Sequence, residues 1–293
     1  EHPELSFHET ETPQYIANFY KEKDCDVETN VGPNGVKVTI DSGKPGKTIA
    51  IRADFDALPI EEQTGLSFAS KNKGVMHACG HDAHTAYMLI LGETLIEMKE
   101  QFKGKVVIIH QPAEEIPPGG AQGMIKDGVL EGVYHVLGAH VMSTMEAGKV
   151  FYKEGYVQTG RAYFKLVVQG KGGHGSSPHM ANDAIVAGSN FVTIAQTLVL
   201  RRLNPFETGV VTIGSFDGKG QFNVIKDQIE IEGDVRALTD QTRDTIQQEL
   251  TRIVKGIEET FGVTCEFEFK KDYPALYNLS LIHISEPTRQ AEI

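Results

Sequence analysis

A segment of nine residues, 76–84, contains three histidines, one cysteine and one aspartate, and these side chains commonly bind metal ions. Within it, Cys79 and His81 flank a glycine that lets the backbone turn tightly enough for both side chains to face one ion. Taken alone, the Cys-x-His pattern is more simply explained by a buried structural cysteine beside surface histidines. The metal interpretation therefore depends on candidate ligands elsewhere in the chain.

Two adjacent carboxylates, Glu114 and Glu115, follow an apolar run and precede the turn-forming sequence Pro-Pro-Gly-Gly. Neighbouring side chains of an extended segment point in opposite directions, so one carboxylate could bind a metal while the other acts as a base. Most Glu-Glu pairs are solvated surface groups, but the expected position of this pair at a sheet edge favours a site. His140, at the end of another apolar run, is a further candidate ligand, although a lone histidine there is usually a core residue.

Asp54 and Asp56 lie two residues apart at the end of a third apolar run, so a strand would place both side chains on one face. One of them could orient a ligating histidine, as carboxylates often do behind metal ligands. Solvation of the end of a strand by two acidic residues is the alternative interpretation.

His174 lies in a glycine-rich segment, 170–179, that superficially resembles a phosphate-binding loop. The segment lacks the Lys-Ser/Thr of a P-loop and the spacing of a dinucleotide-binding fingerprint, which excludes both interpretations. An imidazole on such a loop could donate a hydrogen bond to a developing oxyanion. A Ser/His/Asp triad is also conceivable, but the chain contains no Gly-x-Ser-x-Gly elbow.

The elements that must position these residues alternate between strands and helices in the first part of the chain. Apolar runs predict strands at residues 48–53, 105–110 and 135–141. Helices are predicted between them, at residues 83–98 and 121–130. This order predicts an α/β fold with a mostly parallel sheet flanked by helices on both faces. Because such sheets bind ligands beyond the carboxyl ends of their strands, the predicted positions of the candidate residues support a common site.

A second pattern begins after residue 157, with predicted strands and helices in the order β-α-β-β-α-β of the ferredoxin-like α+β arrangement. The elements span residues 161–168, 182–200, 209–216, 228–237, 239–261 and 263–270. We therefore expect a first domain over residues 1–159, an inserted domain over 160–272, and a return to the first domain over 273–278.

The chain of 293 residues has a formal net charge of −12, which argues against a nucleic-acid partner or an anionic membrane surface. We identify no apolar run near the roughly 20 residues needed to cross a bilayer. Three cysteines are too few for a disulfide framework and suit a reducing compartment, so we expect a cytoplasmic protein.

The final residues, 279–293, have neither strand nor helix periodicity. They resemble an in-frame translation of a transposase-type sequencing adapter, and we interpret them as a non-native tail. An unusual natural tail is the alternative. Residues of this segment, including His283, are excluded from the candidate site.

Seven motifs in order resemble the metal-dependent M20 peptidases, in particular the amidohydrolase branch with aminoacylases, hippurate hydrolases and hydrolases of indole-acetyl amino acids. The motifs lie at residues 52–59, 77–84, 111–115 and 138–140, in the His174 loop, and at 223–225 and 233–236. They run through nearly all of the chain before the expected tail.

The resemblance implies a centre with two divalent metal ions (Mn, Zn, Co or Ni) and a Glu general acid/base. The implied metal ligands are Cys79, His81, Glu115 and His140, with Asp54 and Asp56 behind them and Glu114 as the acid/base. It further implies that the smaller domain is a lid that forms a homodimer and places His174 on the substrate across the dimer. Asn223 and Arg236 would contact the substrate, Arg236 through the substrate carboxylate.

The chain departs from the family pattern in two places. A further metal-ligating histidine near the family's C-terminus has no counterpart here, and Lys226 replaces the proline of the motif Asn-Val-Ile-Pro-Asp. We expect the parent enzyme to hydrolyse N-acyl amino acids with a metal-activated water and Glu114 as the base. A dipeptidase with the same mechanism, and a non-catalytic metal-binding or redox protein that uses Cys79, are the alternatives.

Overall fold

The computed structural model describes residues 1–279 and divides the chain into two compact units, with residues 1–148 in the first and the chain from residue 149 onward in the second. The sequence placed the boundary later, at 159/160. The difference arises because Gly155–Gln158 (β6) pairs with Leu276–Asn278 (β13), and the structure places both strands in the second unit. The expected tail lies outside the described residues except for Leu279.

The first unit contains a five-stranded mixed sheet and three helices. Its strands are β1 (Asp26–Val31), β2 (Gly35–Asp41), β3 (Thr48–Asp54), β4 (Lys105–Gln111) and β5 (Val133–Gly138), in the spatial order β1-β2-β4-β3-β5. Its helices are α1 (Glu11–Tyr20), α2 (His81–Glu97) and α3 (Gly120–Lys126), and a short 3₁₀ turn, Lys99–Gln101, follows α2.

The expectation of a mostly parallel sheet is wrong for the described residues. Strand β3 pairs in parallel with β4 and β5, but β1 with β2 and β2 with β4 are antiparallel pairs. Strands β1 and β2 were not predicted from the sequence. A tight turn with Gly32 at φ +67° joins them, and so short a connection permits only antiparallel pairing.

Helices cover both faces of this sheet, as the sequence predicts. On one face, Ile16 and Tyr20 of α1 and Met88 of α2 pack on inward-facing residues of β2 and β4. On the other face, Met124 of α3 packs on a second cluster that includes Val107 of β4. Strand β4 is therefore buried on both faces, which explains its unbroken apolar run.

Helix α2 begins at His81, two residues before the predicted start at residue 83. The preceding residue, Gly80, has φ +95°, a left-handed conformation that glycine adopts at little cost. This turn places Cys79 just before the helix and His81 and His84 within its first turn.

The second unit contains a four-stranded antiparallel sheet with two helices packed on one face. The elements follow the predicted order: β7 (Gly160–Gln169), α4 (Ala184–Arg202), β9 (Gly209–Asp217), β11 (Gln228–Ala237), α5 (Asp240–Phe261) and β12 (Thr264–Lys271). The spatial order is β12-β7-β11-β9. Two short strands, β8 (Gly173–His174) and β10 (Val224–Ile225), form a separate pair, and Pro178–Met180 is a 3₁₀ turn.

Helix α4 is capped by Asp183, whose carboxylate accepts hydrogen bonds from Ile185 N and Val186 N. Among the described residues it is the one helix whose length and composition alone would allow it to cross a membrane. This is weak support for a membrane span, because its buried side, with Phe191 and Leu198, packs into the core of the unit.

Candidate metal centre

The first unit brings seven of the predicted site residues to one edge of its sheet. Asp54 ends β3, and Asp56 follows it; Cys79 and His81 lie at the start of α2; Glu114 and Glu115 follow β4; and His140 follows β5. His140 was expected to end the strand, but β5 ends at Gly138. The residues cluster as predicted because β3, β4 and β5 run in parallel and present their carboxyl ends together.

Asp56 connects two of these candidate ligands. Its Oδ1 lies 3.1 Å from Nδ1 of His81, and its Oδ2 accepts a hydrogen bond of 3.0 Å from Glu115 N. Although burial alone would raise the pKa of Asp56, these donors and Ser6 hold it below the usual value. The aspartate therefore stays ionised, and its contact with Nδ1 directs Nε2 of His81 away from it.

The imidazole of His81 presents an unpartnered nitrogen to the centre. Within the described residues its buried Nε2 has no hydrogen-bond partner, and it lies 3.7 Å both from Asp54 Oδ2 and from Glu115 Oε1. Burial alone would lower the pKa of His81, but the surrounding carboxylates raise it above the usual value. The environment of this nitrogen therefore favours a positive charge.

Cys79 and His140 lie together beside His81. The Sγ of Cys79 is 3.4 Å from Nε2 of His140, and the thiol also hydrogen bonds to the Glu115 carboxylate. Burial and the charge of Glu115 raise the pKa of Cys79 to about 12. The Nδ1 of His140 lies 2.6 Å from the carbonyl of Val141, to which it donates, so Nε2 carries the lone pair that a cation would need.

Two side chains of α2 hold the loop that carries His140, and the sequence analysis did not assign either of them this contact. Tyr87 Oη donates to the carbonyl of Ala139 at 2.6 Å. The Nε2 of His84 accepts from Val141 N at 2.9 Å, which places the proton on Nδ1, 2.6 Å from Asp54 Oδ1. Both nitrogens of His84 are thus engaged, so it positions the loop and is not a ligand.

Arg52 and His84 hold the carboxyl group of Asp54 in its ionised form. Its Oδ2 lies 2.5 Å from Nη1 of Arg52, and its Oδ1 accepts from His84. Burial alone would raise the pKa of Asp54, but the His84 hydrogen bond and the Arg52 charge lower it to about 2. Arg52 also donates to Gln111 Oε1, so one guanidinium fixes the ends of β3 and β4 together.

Glu114 lies beside His81 and Glu115. Burial and the neighbouring charge of Glu115 raise the pKa of Glu114 above its usual value, toward the pH at which a general base works best. The residue before it, Ala113, has φ +50°, a conformation that costs a non-glycine residue about 1–3 kcal/mol. Ala113 N donates to the carboxylate of Glu9, a contact that no sequence motif indicated.

The donor set fits a divalent cation. Three groups of candidate ligand atoms, each within 4.8 Å of one another, share His81: one with Cys79 and His140, one with Glu114 and Glu115, and one with Asp54 and His84. The third group is excluded because His84 is fully hydrogen-bonded. In the remaining two groups, His81 Nε2 and Glu115 Oε1 are buried and unpartnered within residues 1–279, as expected for atoms that await a cation.

His174 and Asn223 lie next to each other in the second unit. His174, in β8, pairs with Val224 of β10, and Gly175 N donates to the carbonyl of Asn223. The Nδ1 of His174 accepts from Ser176 N at 3.2 Å, which leaves the proton on Nε2. His174 therefore presents an N–H donor at the wall of a cavity of about 530 Å³.

Arg236 lies on β11, directly opposite Arg161 of β7. Both guanidinium groups donate through Nε to the carboxylate of Asp234, at 2.6 Å from Arg236 and 3.0 Å from Arg161. The side chain of Arg236 remains 42% exposed. Asp234 thus fixes its direction while part of the guanidinium stays accessible to an anion.

Comparison with known proteins decides the family. A profile of Peptidase family M20/M25/M40 matches residues 50–290. The chain belongs to the M20 peptidase family. As a member of this family it is a hydrolase that acts on amides, in agreement with the resemblance seen in the sequence motifs.

Relatives of this M20 protein include deacylases and proteins of known structure. It is 39% identical to an N-acyl-L-amino acid amidohydrolase from Geobacillus stearothermophilus, over 94% of this chain and 75% of the relative. The crystal structure of YxeP from Bacillus subtilis, a dinuclear metal binding peptidase, shares 35% identity and a TM-score of 0.83, over 100% of this chain and 77% of the other. A solved structure from methicillin resistant Staphylococcus aureus shares 74% identity and a TM-score of 0.95, over 99% and 78%.

Proposed function

We propose that this M20 protein is a metal-dependent amidohydrolase that removes the acyl group from N-acyl amino acids. The observation that carries the proposal is a pair of potential metal-ligand atoms without hydrogen-bond partners, His81 Nε2 and Glu115 Oε1. Beside them lies the carboxyl group of Glu114, whose pKa is raised. The N-acyl-L-amino acid amidohydrolase and an N-acetyl-L-cysteine deacetylase from Bacillus subtilis, 38% identical, support this substrate class.

Cys79, His81, Glu115 and His140 would hold two divalent ions, with Asp56 and Asp54 behind them. The dinuclear relative from Bacillus subtilis supports two ions, and a mixed sulfur, nitrogen and oxygen donor set suits Zn, Mn, Co or Ni. When bound, such ions lower the pKa of a coordinated water toward neutrality and polarise the amide carbonyl.

Glu114 is the proposed proton carrier. Its carboxylate accepts the proton of the attacking water and then donates that proton to the nitrogen of the departing amino acid. The raised pKa of Glu114 suits both steps, because a group that titrates closer to neutrality gives and takes a proton more readily at physiological pH.

The second unit is the proposed lid and homodimerisation domain. The protonated Nε2 of His174 would donate to the oxyanion that develops on the acyl carbonyl. Asn223 would contact the substrate, and Arg236 would bind the carboxylate of the amino acid. We place the enzyme in the cytoplasm, with a small-molecule substrate and with neither nucleic acid nor membrane as partner.

A peptidase activity of the same mechanism is the second candidate. A thermostable carboxypeptidase from Saccharolobus solfataricus is 39% identical over 95% of this chain and 72% of the relative. A non-catalytic redox protein is disfavoured, because a thiol with a pKa of about 12 is almost fully protonated and reacts slowly as a nucleophile.

An assay of the full-length, metal-loaded protein against acetyl, benzoyl and indole-acetyl amino acids and against dipeptides tests the proposal. We expect hydrolysis of at least one N-acyl amino acid, with activity lost on chelation and restored by added metal. Hydrolysis of dipeptides alone would favour the peptidase. Bound metal without any hydrolysis would contradict both activities.

A further inference from the structure

An N-terminal segment, residues 4–10, packs behind the candidate metal centre. Leu5 forms a parallel bridge with Ala57, and Ser6 Oγ donates to Asp56 Oδ2 at 2.7 Å. Glu9, three residues further on, is only 2% exposed. The segment thus places a buried carboxylate under the site, although no motif of the centre includes Glu9.

The carboxylate of Glu9 is used on the backbone beside the proposed base. Its Oε1 accepts a hydrogen bond of 2.7 Å from Ala113 N, and Ala113 is fully buried. Ala113 has φ +50°, and its own carbonyl accepts from Gly120 N at 3.0 Å. The amide of a residue in the left-handed region is therefore fixed by a buried carboxyl oxygen, immediately before Glu114.

Two carboxyl groups hold the two ends of the segment 113–115, which contains Glu114. Glu9 binds the amide of Ala113, and Asp56 Oδ2 binds the amide of Glu115 at 3.0 Å. Glu114 lies between these fixed amides, so the direction of its side chain depends on both contacts. Asp56 also contacts His81, whereas the side-chain hydrogen bond of Glu9 within the described residues goes to a backbone amide, which makes Glu9 the more selective probe of the base.

Burial of Glu9 is costly for the fold. Within residues 1–279 its second oxygen, Oε2, is buried and has no hydrogen-bond partner. A buried carboxylate with an unsatisfied oxygen destabilises the folded state unless another interaction offsets the loss of hydration. The hydrogen bond from Ala113 N offsets part of this cost, so the burial of Glu9 points to a role in fixing the turn before Glu114.

We propose that Glu9 is a positioning residue for catalysis, which holds Ala113 in its left-handed conformation and thereby aims the carboxylate of Glu114 at the substrate. This inference rests on the proposed role of Glu114 as the base. Glu9 itself touches neither substrate nor reacting atoms; it acts through one backbone amide.

The test compares Glu9→Gln with Glu9→Met in the full-length, metal-loaded protein. The two side chains have similar volume and no charge, but only glutamine offers an oxygen that can accept from Ala113 N. We expect Glu9→Met to lower kcat by about 10–100-fold with KM within about threefold, and Glu9→Gln to restore most of the loss. Equal kcat in the methionine variant and the wild type would overturn the proposal.

Glu4→Ala is the matched control. Glu4 lies in the same segment and accepts hydrogen bonds from the amides of Thr10, Glu11 and Thr12 at the start of α1, but not from Ala113. We expect this variant to lose thermal stability and to keep its kcat. If Glu4→Ala lowers kcat as much as Glu9→Met, the effect belongs to the segment as a whole and the positioning role of Glu9 is wrong.

Amide hydrogen exchange separates this proposal from the proposed function. In Glu9→Met the amide of Ala113 should exchange faster than in the wild type, while residues 106–109 within β4 stay protected. Unchanged exchange at Ala113 would overturn the positioning role whatever the activity. If Glu114→Gln proves active, the proposed base fails, but the exchange result still reports whether Glu9 fixes this turn.

Discussion

His81 lies among more negative charge than its own proton can balance. Asp54, Asp56 and Glu115 surround one imidazole, and burial together with the charge of Glu115 raises the pKa of Glu114 and of Cys79. In the low dielectric of a buried site, charges that are not compensated interact strongly. A divalent cation bound by His81 Nε2 and Glu115 Oε1 would relieve this repulsion.

Replacement of Glu114 by glutamine tests the base directly. Glutamine keeps the shape but cannot carry a proton, so Glu114→Gln should lower kcat by about 10²–10⁴-fold. Metal content, measured by elemental analysis, should remain at the wild-type stoichiometry, because Glu114 is not a proposed ligand. A variant with near-normal kcat would exclude Glu114 as the base.

His110 makes stability depend on pH. This residue of β4 is fully buried, and burial lowers its pKa to about 3. The unfolded chain takes up a proton near pH 6.5 and the folded chain does not, so this contribution to stability is present above pH 6.5 and is lost as the pH falls toward 3. The loss is about 1.4 kcal/mol per pH unit.

Urea unfolding of the metal-free protein between pH 7 and pH 4.5 measures this dependence. We expect His110→Phe to flatten the decline relative to the wild type, by about 3 kcal/mol at the acid end. His179→Phe, at an exposed position, is the control and should keep the wild-type slope. Parallel curves for His110→Phe and the wild type would show that His110 does not carry the effect.

At the scale of elements, helix α2 supplies one candidate ligand, His81, and also positions the loop that carries another, His140. Its first turn supplies His81 and His84, and the following turn supplies Tyr87; His84 and Tyr87 hold the loop of residues 139–141. His140 is therefore positioned by a neighbouring helix as well as by the strand that precedes it. Contacts of this kind behind a ligand typically change metal affinity by about 10–100-fold.

Tyr87→Phe tests this arrangement with the loss of a single oxygen. Without the hydrogen bond to Ala139 O, the loop should hold His140 less firmly, and metal affinity should fall about tenfold. Competition with a chelator measures the affinity. Tyr15→Phe, at a position that is 65% exposed, is the control, and an equal change in both variants would argue against a specific role for Tyr87.

The sequence predicted those elements whose apolar pattern is strong. Helices α4 and α5 begin within two residues of the predicted starts at 182 and 239, because the capping side chains of Asp183 and Thr239 and the apolar faces mark the same boundary. Strand β1 was missed because Asp26–Val31 is polar and mostly exposed, which leaves no apolar pattern to recognise. Without β1 and β2, the sheet looked more parallel than it is.

The sequence predicted the residues of the candidate site that would bind metal or carry a proton, but not all of the residues that hold them in place. Cysteine, histidine and paired glutamates are recognisable by type and spacing, whereas the partners that orient them are not. Glu9 and Tyr87 act on backbone atoms 104 and 52 residues away, and such contacts exist only after the chain has folded. A single sequence carries no local signal for them.

At the scale of the whole molecule, the chain consists of two units with separate cores. The core cluster of the second unit draws only on residues 162–269, and those of the first unit only on residues 16–133. Each unit therefore buries its own apolar surface, which is the condition for independent folding.

A fragment of residues 149–279 should fold alone. We expect a single cooperative transition in denaturant, followed by far-UV circular dichroism. Phe164→Ala, in the centre of this core, should destabilise the fragment by about 3–5 kcal/mol. A fragment that melts gradually, or that is unaffected by the loss of Phe164, would show that its stability depends on the rest of the chain.

The protonated thiol of Cys79 has a consequence for the life of the protein before it acquires metal. Burial and the neighbouring carboxylates raise the pKa of Cys79, so little of the thiol is ionised at pH 7, and oxidants and alkylating agents attack the ionised form. A newly made chain can therefore wait for its cations with this sulfur intact. The buried, acidic surroundings that would attract metal ions thus also protect the Cys79 thiol from oxidation before the ions bind.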